Sequence, residues 1–192
     1  NGTLTFVNTT FMNNIADDDD NGTGVGGGYF AQSGGVTITT TNSLFVDNYN
    51  STPATPENCY DANENSLNWT GTGANLMDDS TNCDDALLWD GTLTINATPM
   101  LGAFGLNGGT TRTVPLLAGS PAINAGTNAL CARPTDQRGV ARTVGTTCDI
   151  GAFEVDSSTD LKVEFAPANP ATTVGTPADV TFTVTNIGFD PA

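Results

Sequence analysis

An internal repeat near the start of the chain constrains the fold more than any other feature. Residues 4–14 (LTFVNTTFMNN) are echoed by residues 36–38 (VTI) and then by residues 42–48 (NSLFVDN). Each copy contains an alternating apolar pair, which predicts a strand with one face turned inward. Coils of a parallel β-helix require such copies, because stacked turns form ladders of equivalent inward positions. Asn8 and Asn42 match, and we expect their amides to stack at a corner of the coil.

Composition agrees with short strands and many turns. Only 38% of the residues are hydrophobic and 14% are charged, with 22 glycines among 192 residues. Helical bundles need more Leu, Glu, Lys and Arg, so the chain is predicted to be all-β. The net charge of −16 disfavours nucleic acid and anionic membrane surfaces as partners. No apolar run is long enough for membrane insertion.

A run of four acidic residues interrupts the repeat. Such a run is costly to bury between coils, so it should protrude as a loop before the glycines at 22–28 return the chain. Hard cations bind several carboxylates, which makes calcium a candidate cofactor. A solvated acidic loop without metal is the alternative, and we favour it. The candidate ligands are Asp17, Asp18, Asp19 and Asp20.

The chain has four cysteines, and an even number indicates disulfides formed outside the cytosol. Metal binding is disfavoured, because the chain has no histidine and no CxxC motif. Of the three possible connectivities, Cys59–Cys83 and Cys131–Cys148 close the shortest spans, and we predict these two pairs. The predicted location is therefore secreted, extracellular or at the cell surface.

Several ordered motifs between residues 99 and 154 resemble one family. They are similar to the C-terminal signature of choice-of-anchor Q domain proteins, which are prokaryotic surface proteins with parallel β-helix repeats. The resemblance covers about residues 1–155 and implies the C-terminal part of a right-handed parallel β-helix. It supplies no catalytic residues. The motifs are PMLG at 99–102, NGGTTRT at 107–113, LLAGSPAINAG at 116–126, TDQRGVAR at 135–142 and CDIGAFE at 148–154.

Five charged residues lie in or beside these motifs. One hypothesis is a sugar- or metal-binding site at the end of the helix. The other, which we favour, is a cap in which Arg–carboxylate pairs hold an irregular segment over the last coil and protect it from edge pairing. The set comprises Asp136, Arg138, Arg142, Asp149 and Glu154.

The pattern changes after a linker at residues 156–160. Two alternating stretches, 161–165 and 180–186, are similar to the opening of immunoglobulin-like repeats in prokaryotic surface proteins. A complete sandwich needs about 100 residues, so residues 161–192 form only part of one. The apolar faces must be covered by another chain or by adjoining sequence, and addition of a strand to a neighbour would build a filament. The predicted assembly residues are Leu161, Val163, Phe165, Val180, Phe182 and Val184.

These features predict a non-enzymatic extracellular structural protein, either a surface stalk, an adhesin or a filament subunit. Its expected partners are further copies of itself or neighbouring domains of the same precursor, with surface glycans as another candidate. Lyase chemistry needs a base, but Lys162 is the one lysine and lies in the second module. The alternative function is a polysaccharide-binding or polysaccharide-degrading β-helix whose active coils lie outside this sequence.

Overall fold

The structure is a computed structural model, and every structural statement below refers to the residues that it describes. The chain divides into two compact units, Asn1–Val155 and Asp156–Ala192. The described residues are 2–19, 21–22, 24–31, 36–51, 55–61, 68–80, 83, 93–95, 98–131, 133–142, 147–156, 161–165 and 182–186.

Strands dominate these residues, and the helical content is a single 3-10 turn at Asn128–Leu130, so the all-β prediction is confirmed. In the described part of the chain, no helix is long and apolar enough to span a membrane. The strands are β1 Gly2–Val7, β2 Thr10–Met12, β3 Tyr29–Ala31, β4 Val36–Thr41, β5 Leu44–Val46, β6 Cys59–Asp61, β7 Asn68–Thr72, β8 Asn75–Met77, β9 Leu93–Ile95, β10 Leu161–Phe165 and β11 Phe182–Asn186.

In the first unit, consecutive repeats deliver one strand each to the same sheets. The first repeat (residues 2–31) holds β1, β2 and β3, the second (36–61) holds β4, β5 and β6, and the third (68–80) holds β7 and β8. The parallel sheets have the orders β1-β4-β7, β2-β5-β8-β9 and β3-β6. Register is regular, since Leu4 lies beside Ile38 and Ile38 beside Trp69. The internal repeat of the sequence is therefore a stack in space.

Left-handed residues form the corners between the strands of each repeat. Between the first and second strands stand Asn8, Asn42 and Gly73, with φ of 50°, 47° and 66°. Asn and Gly tolerate this conformation best among the amino acids, which explains why the sequence copies match there. The expected stacking of the Asn8 and Asn42 amides is wrong. Each amide instead donates outward, to the carbonyls of Asp149 and Thr127 respectively.

Two apolar clusters lie on opposite faces of the sheet that contains β5. One cluster includes Ile38, Phe45, Cys59 and Met77 and so joins all three parallel sheets. The other combines Leu44, Val46 and Leu76 with five side chains from residues 98–155, which we call the flanking segment. The alternation of β5 thus serves two cores, because successive side chains point to opposite faces of a strand.

The flanking segment lies along the side of the stack and contacts all three repeats. The amide of Ala152 donates to Thr10 Oγ1 of the first repeat at 2.9 Å, and Gly151 donates to the Asn42 carbonyl of the second at 2.8 Å. In the third repeat, the amide of Ala74 donates to Thr127 Oγ1 at 3.3 Å. These contacts join successive repeats from the side. The cap over the last coil stays a prediction, since most of residues 81–97 lie outside the described residues.

The structure contains two disulfides, Cys59–Cys83 and Cys131–Cys148, which is the pairing that the sequence analysis predicted. The first lies beside the cluster of Ile38 and Phe45. The second closes a loop of the flanking segment. Stable disulfides require an oxidising environment, so the folded chain belongs in such a compartment.

In the second unit, β10 and β11 form an antiparallel pair. Its register sets Val163 opposite Val184 and Phe165 opposite Phe182. The two apolar faces expected from the sequence therefore belong to one face of the pair. Val163, Phe182 and Val184 are 52%, 58% and 50% exposed. Val180 lies outside the described residues.

Candidate functional site

The five charged residues singled out in the sequence come together within the flanking segment. Two stretches supply them, residues 134–142 and residues 149–155. The first is a tight turn in which Asp136 N donates to Val140 O at 2.7 Å and Gly139 adopts a φ of 95°. The two stretches are joined by the amide of Glu154, which donates to Asp136 Oδ2 at 3.0 Å. This cluster is the charged network.

Asp136 organises the turn. Its Oδ1 accepts hydrogen bonds from the amides of Arg138 at 2.7 Å and Val140 at 3.0 Å. Its Oδ2 pairs with the Arg138 guanidinium, with an Nη2–Oδ2 distance of 2.8 Å. Both carboxylate oxygens are therefore occupied by donors of the chain itself.

Arg138 connects this turn to distant parts of the flanking segment. Its Nη1 donates to Asn107 O at 3.2 Å, and its Nη2 donates to Glu154 O. The guanidinium carbon lies 3.5 Å from the ring centroid of Phe153, which is a cation–π contact. The Arg138 side chain thus joins three stretches of the flanking segment, which contain Asn107, Asp136 and Glu154.

Arg142 is buried, with 2% exposure, and pairs with Glu154, which is 1% exposed. Arg142 Nη1 lies 3.4 Å from Glu154 Oε2, and its Nη2 donates to Gly151 O at 3.0 Å. Glu154 Oε2 also accepts from Asp149 N at 2.8 Å. The Asp149 carboxylate accepts from the amides of Asn124 at 2.7 Å and Val155 at 2.6 Å. The network therefore carries buried charge that is compensated by partners at short range.

Burial and hydrogen bonding shift the acidities in different directions. For Asp136, burial acts to raise the pKa, but hydrogen bonds from Glu154 N and Arg138 outweigh it and lower the pKa. For Asp149, burial is the larger effect and the pKa is raised. Burial also raises the pKa of Glu154 to about 7. Burial lowers the pKa of Arg142, although the negative charges of Glu154 and Asp136 act to raise it.

The network fixes the part of the flanking segment that touches the first two repeats. Gly151, which accepts from Arg142 and donates to Asn42, has a φ of 101°. A Cβ at this position would lie 2.7 Å from Thr10 Oγ1. The close approach of the segment to the stack therefore depends on a glycine that Arg142 holds in place.

Sequence reasoning missed the polar contacts through which Asn42 holds the flanking segment. Asn42 Oδ1 accepts from Thr127 N at 2.9 Å, and Asn42 Nδ2 donates to Thr127 O at 3.3 Å. Asn42 is fully buried. Its match with Asn8 signalled a corner, but no sequence pattern pairs it with Thr127, which is 85 residues away.

The acidic run is only partly the protruding loop that was expected. Asp18 and Asp19 are exposed, but Asp17 is buried. Asp17 accepts hydrogen bonds from the amides of Asn21 at 3.0 Å and Gly22 at 2.6 Å. A buried aspartate that closes its own loop by accepting main-chain N–H groups is a turn residue. Asp17 is thus corrected from a solvated position.

Calcium binding by this run stays a prediction. Asp20 lies outside the described residues. Across the part of the chain that the structure describes, no group of three or more His, Cys, Asp and Glu side chains is arranged to hold a metal ion.

Comparisons with protein-family models, with curated proteins and with solved structures found no match to this chain. The resemblance to choice-of-anchor Q domain proteins and to immunoglobulin-like repeats therefore stays a prediction.

The raised pKa of Glu154 predicts an unusual pH dependence of stability. A carboxyl group whose pKa is higher in the folded state stabilises the fold fully below its ordinary pKa, and this contribution is lost as the pH rises through about 7. We expect the free energy of unfolding to increase by about 2 kcal/mol between about pH 8 and about pH 5. Urea denaturation followed by circular dichroism at a series of pH values measures it.

The control is Glu154→Gln, which carries no charge at any pH and should flatten most of this dependence. The chain has no histidine to titrate in the same range. The raised pKa of Asp149 acts with the same sign. A wild-type protein that becomes less stable on acidification from pH 8 to pH 5 would contradict the assignment.

Proposed function

We propose that the chain is a non-enzymatic extracellular structural protein, with a right-handed parallel β-helix over residues 1–155 and a partial immunoglobulin-like segment after residue 160. Its role is that of a surface stalk, an adhesin or a filament subunit. The regular parallel register of three repeats supports the β-helix. Two disulfides support an extracellular location.

The charged network carries the proposal of a structural role. Both oxygens of Asp136 and both oxygens of Asp149 accept hydrogen bonds from main-chain amides. A general acid or base must instead present its carboxyl group to a substrate within hydrogen-bonding reach. Carboxylates held in this way, beside Arg138 and Arg142, are suited to fixing a polypeptide segment against the repeats.

The exposed face of the β10–β11 pair supports assembly. An isolated two-stranded pair is marginal in water, because its apolar face and its strand edges are uncovered. Val163, Phe182 and Val184 lie half or more exposed on this pair. Addition of the pair to a neighbouring chain would cover both features, and a head-to-tail contact that does not close yields a filament.

Substitution on this face tests the proposal in the full chain. We expect Val184→Lys to abolish filaments seen by negative-stain electron microscopy and to leave a single species in sedimentation velocity, because a charge is costly to bury in an apolar contact. Thr183→Lys is the matched control. Thr183 is exposed, and alternation sets its side chain on the opposite face. It should assemble like the wild type.

Two results would contradict the proposal. Filaments of normal length from Val184→Lys would exclude this face as the linkage. Release of reducing ends from a panel of polysaccharides by the purified wild-type chain, measured in parallel, would favour the polysaccharide-degrading alternative over a structural role.

A further inference from the structure

The outer edge of the first repeat has no partner strand in the part of the chain that the structure describes. Within the described residues, β1 pairs only with β4, β2 only with β5 and β3 only with β6. The other edge of each strand therefore presents main-chain N–H and C=O groups that a further strand can bind. Residues 7–14 contain the corner between β1 and β2 and form the centre of this edge.

Each later repeat uses a side chain at the first corner to bind the main chain of the repeat before it. Ser43 Oγ accepts from Thr9 N at 3.3 Å, and Asn75 Oδ1 accepts from Ser43 N at 3.0 Å. The same side chains donate backwards, Ser43 Oγ to Phe6 O at 3.5 Å and Asn75 Nδ2 to Thr40 O at 3.3 Å. Phe6 and Thr40 are partners in register. The same contacts thus recur at both junctions.

The second corner follows the same rule. Asn48 Oδ1 accepts from Asn14 N at 3.1 Å, and Asn48 Nδ2 donates to Phe11 O at 3.1 Å. Register makes Thr9 the equivalent of Ser43 and Asn14 the equivalent of Asn48. Ser43 and Asn48 are buried, whereas Thr9 is half-buried and Asn14 is exposed. Asn14 Nδ2 donates to Asn48 Oδ1 of the second repeat at 2.7 Å, and Thr9 Oγ1 donates to Val7 O at 3.3 Å. The first repeat therefore carries the same oxygen acceptors, Thr9 Oγ1 and Asn14 Oδ1, that Ser43 and Asn48 use to join repeats.

A groove lies along this edge. It consists of two adjoining clefts of about 420 and 520 Å³, which share Thr10, Gln137 and Ala152 as lining residues. Its opposite wall belongs to the flanking segment and includes Phe104 and Val114. The flanking segment thus covers the space beside the first repeat as well as the second and third.

Three buried polar atoms beside the groove lack hydrogen-bond partners among the described residues: Asn8 Oδ1, Thr113 Oγ1 and Arg142 Nε. Asn8 Oδ1 belongs to the wall formed by the repeat, and Thr113 Oγ1 belongs to the wall formed by the flanking segment. Asn8 and Thr113 are 6% and 3% exposed. Buried polar atoms are nearly always hydrogen-bonded in native proteins, so these three point to an occupant.

We propose that the groove binds one further strand–corner–strand unit of the same repeat type, so that the stack continues beyond β1 and β2. Its strands run parallel to β1 and β2 and bind their open edges. Its corner carries Asn or Gly in the left-handed conformation. Its main-chain N–H groups donate hydrogen bonds to the side-chain oxygens of Thr9 and Asn14. The inference does not depend on the proposed function, because a stack of any function is extended in this way.

The contacts on the outer wall determine which side chains fit the unit. In the second repeat, Leu44 and Val46 point outward and pack on the flanking segment. The equivalent positions of the bound unit face Phe104 and Val114, so apolar side chains are expected there. The occupant is a polypeptide that adds to the sheet edges through its main chain, with alternate side chains filling the groove.

The chain's own second repeat supplies the probe. A fluorescently labelled peptide with the sequence of residues 36–48 (VTITTTNSLFVDN) is titrated with the full chain, and anisotropy reports binding. We expect saturable binding and slower hydrogen exchange of the amides of residues 2–14. A peptide with Asn42→Val should bind weakly, because a β-branched residue resists the left-handed corner.

Variants of the full chain locate the contact. Thr9→Val with Asn14→Ala removes the two bridging side chains and should weaken peptide binding about tenfold, as expected for loss of two hydrogen bonds. Thr110→Val, an exposed threonine outside the lining of the groove, should bind like the wild type.

Absence of binding at saturating peptide, or binding without slower exchange in residues 2–14, would overturn the proposal. Dimers of the wild-type chain that the peptide dissociates would identify a second whole copy as the occupant and would overturn it also. Filament formation through Val184 is independent of every one of these results.

Discussion

Arg142→Met is expected to destabilise the first unit by about 3–5 kcal/mol, the range for removing one partner of a buried ion pair. Arg142 is 2% exposed and Glu154 is 1% exposed. Methionine retains most of the volume of arginine but leaves Glu154 beside Asp149 without the positive charge. It also removes the hydrogen bond to Gly151 O, which positions the contact with Thr10 and Asn42. Urea denaturation of the full chain at about pH 9, above the pKa of Glu154 and therefore with its carboxyl group ionised, followed by circular dichroism, measures the loss.

A second substitution distinguishes loss of charge compensation from loss of packing. Arg142→Met combined with Glu154→Gln should recover part of the stability, because no unpaired carboxylate remains on Glu154. Arg112→Met is the matched control. Arg112 is an exposed arginine that lies 5.9 Å from the centroid of the Phe104 ring, and its loss should cost less than about 1 kcal/mol. Equal effects of Arg142→Met and Arg112→Met would refute a compensating role for the buried pair.

Asn42→Ala is expected to cost about 2–5 kcal/mol. In the wild type, Thr127 N donates to Asn42 Oδ1 at 2.9 Å. Alanine removes this acceptor, and leaving a buried N–H group without a partner costs about 1–3 kcal/mol. It also places a residue without a local polar side chain at a φ of 47°, which adds roughly 1–2 kcal/mol. Thermal and urea unfolding of the full chain both report the change.

Two controls separate these contributions. Asn42→Gly keeps the left-handed corner and loses the side-chain amide contacts, which are those with Thr127 and with the sulfurs of Cys131 and Cys148. Asn13→Ala changes an exposed asparagine with a φ of 54° and should show the conformational cost alone. If Asn13→Ala is as destabilising as Asn42→Ala, the contact with Thr127 contributes nothing measurable and the flanking segment is held by other means.

The two substitutions probe opposite ends of the attachment of the flanking segment. Arg142 acts inside the segment and maintains its shape near Gly151, whereas Asn42 acts from the second repeat and holds Thr127. The sites share the Gly151–Asn42 hydrogen bond, so their effects should not be additive when combined. A double variant that is less destabilised than the sum of the single variants is the expected result.

The sequence by itself determined the features that depend on local pattern. Alternation and the repeat between residues 4–14 and 36–48 specified short strands that recur in register, because burial on one face of a strand has a period of two residues. The matched Asn8 and Asn42 marked corners, since few residue types accept a left-handed backbone. The spans between the cysteines indicated the two pairs that the structure contains.

Only the tertiary structure decided where the irregular segments lie. The sequence did not indicate that Gly151 and Ala152 contact Asn42 and Thr10 along the side of the stack. Asp17 was expected in solvent, but the amides of Asn21 and Gly22 turn its carboxylate inward. Alternation gave each of the last two strands an apolar face, and an antiparallel register sets Val163 and Val184 side by side. Local periodicity encodes which side of a strand is buried. The segment that packs against that side is selected by contacts between residues up to 142 positions apart. No short sequence pattern records such contacts.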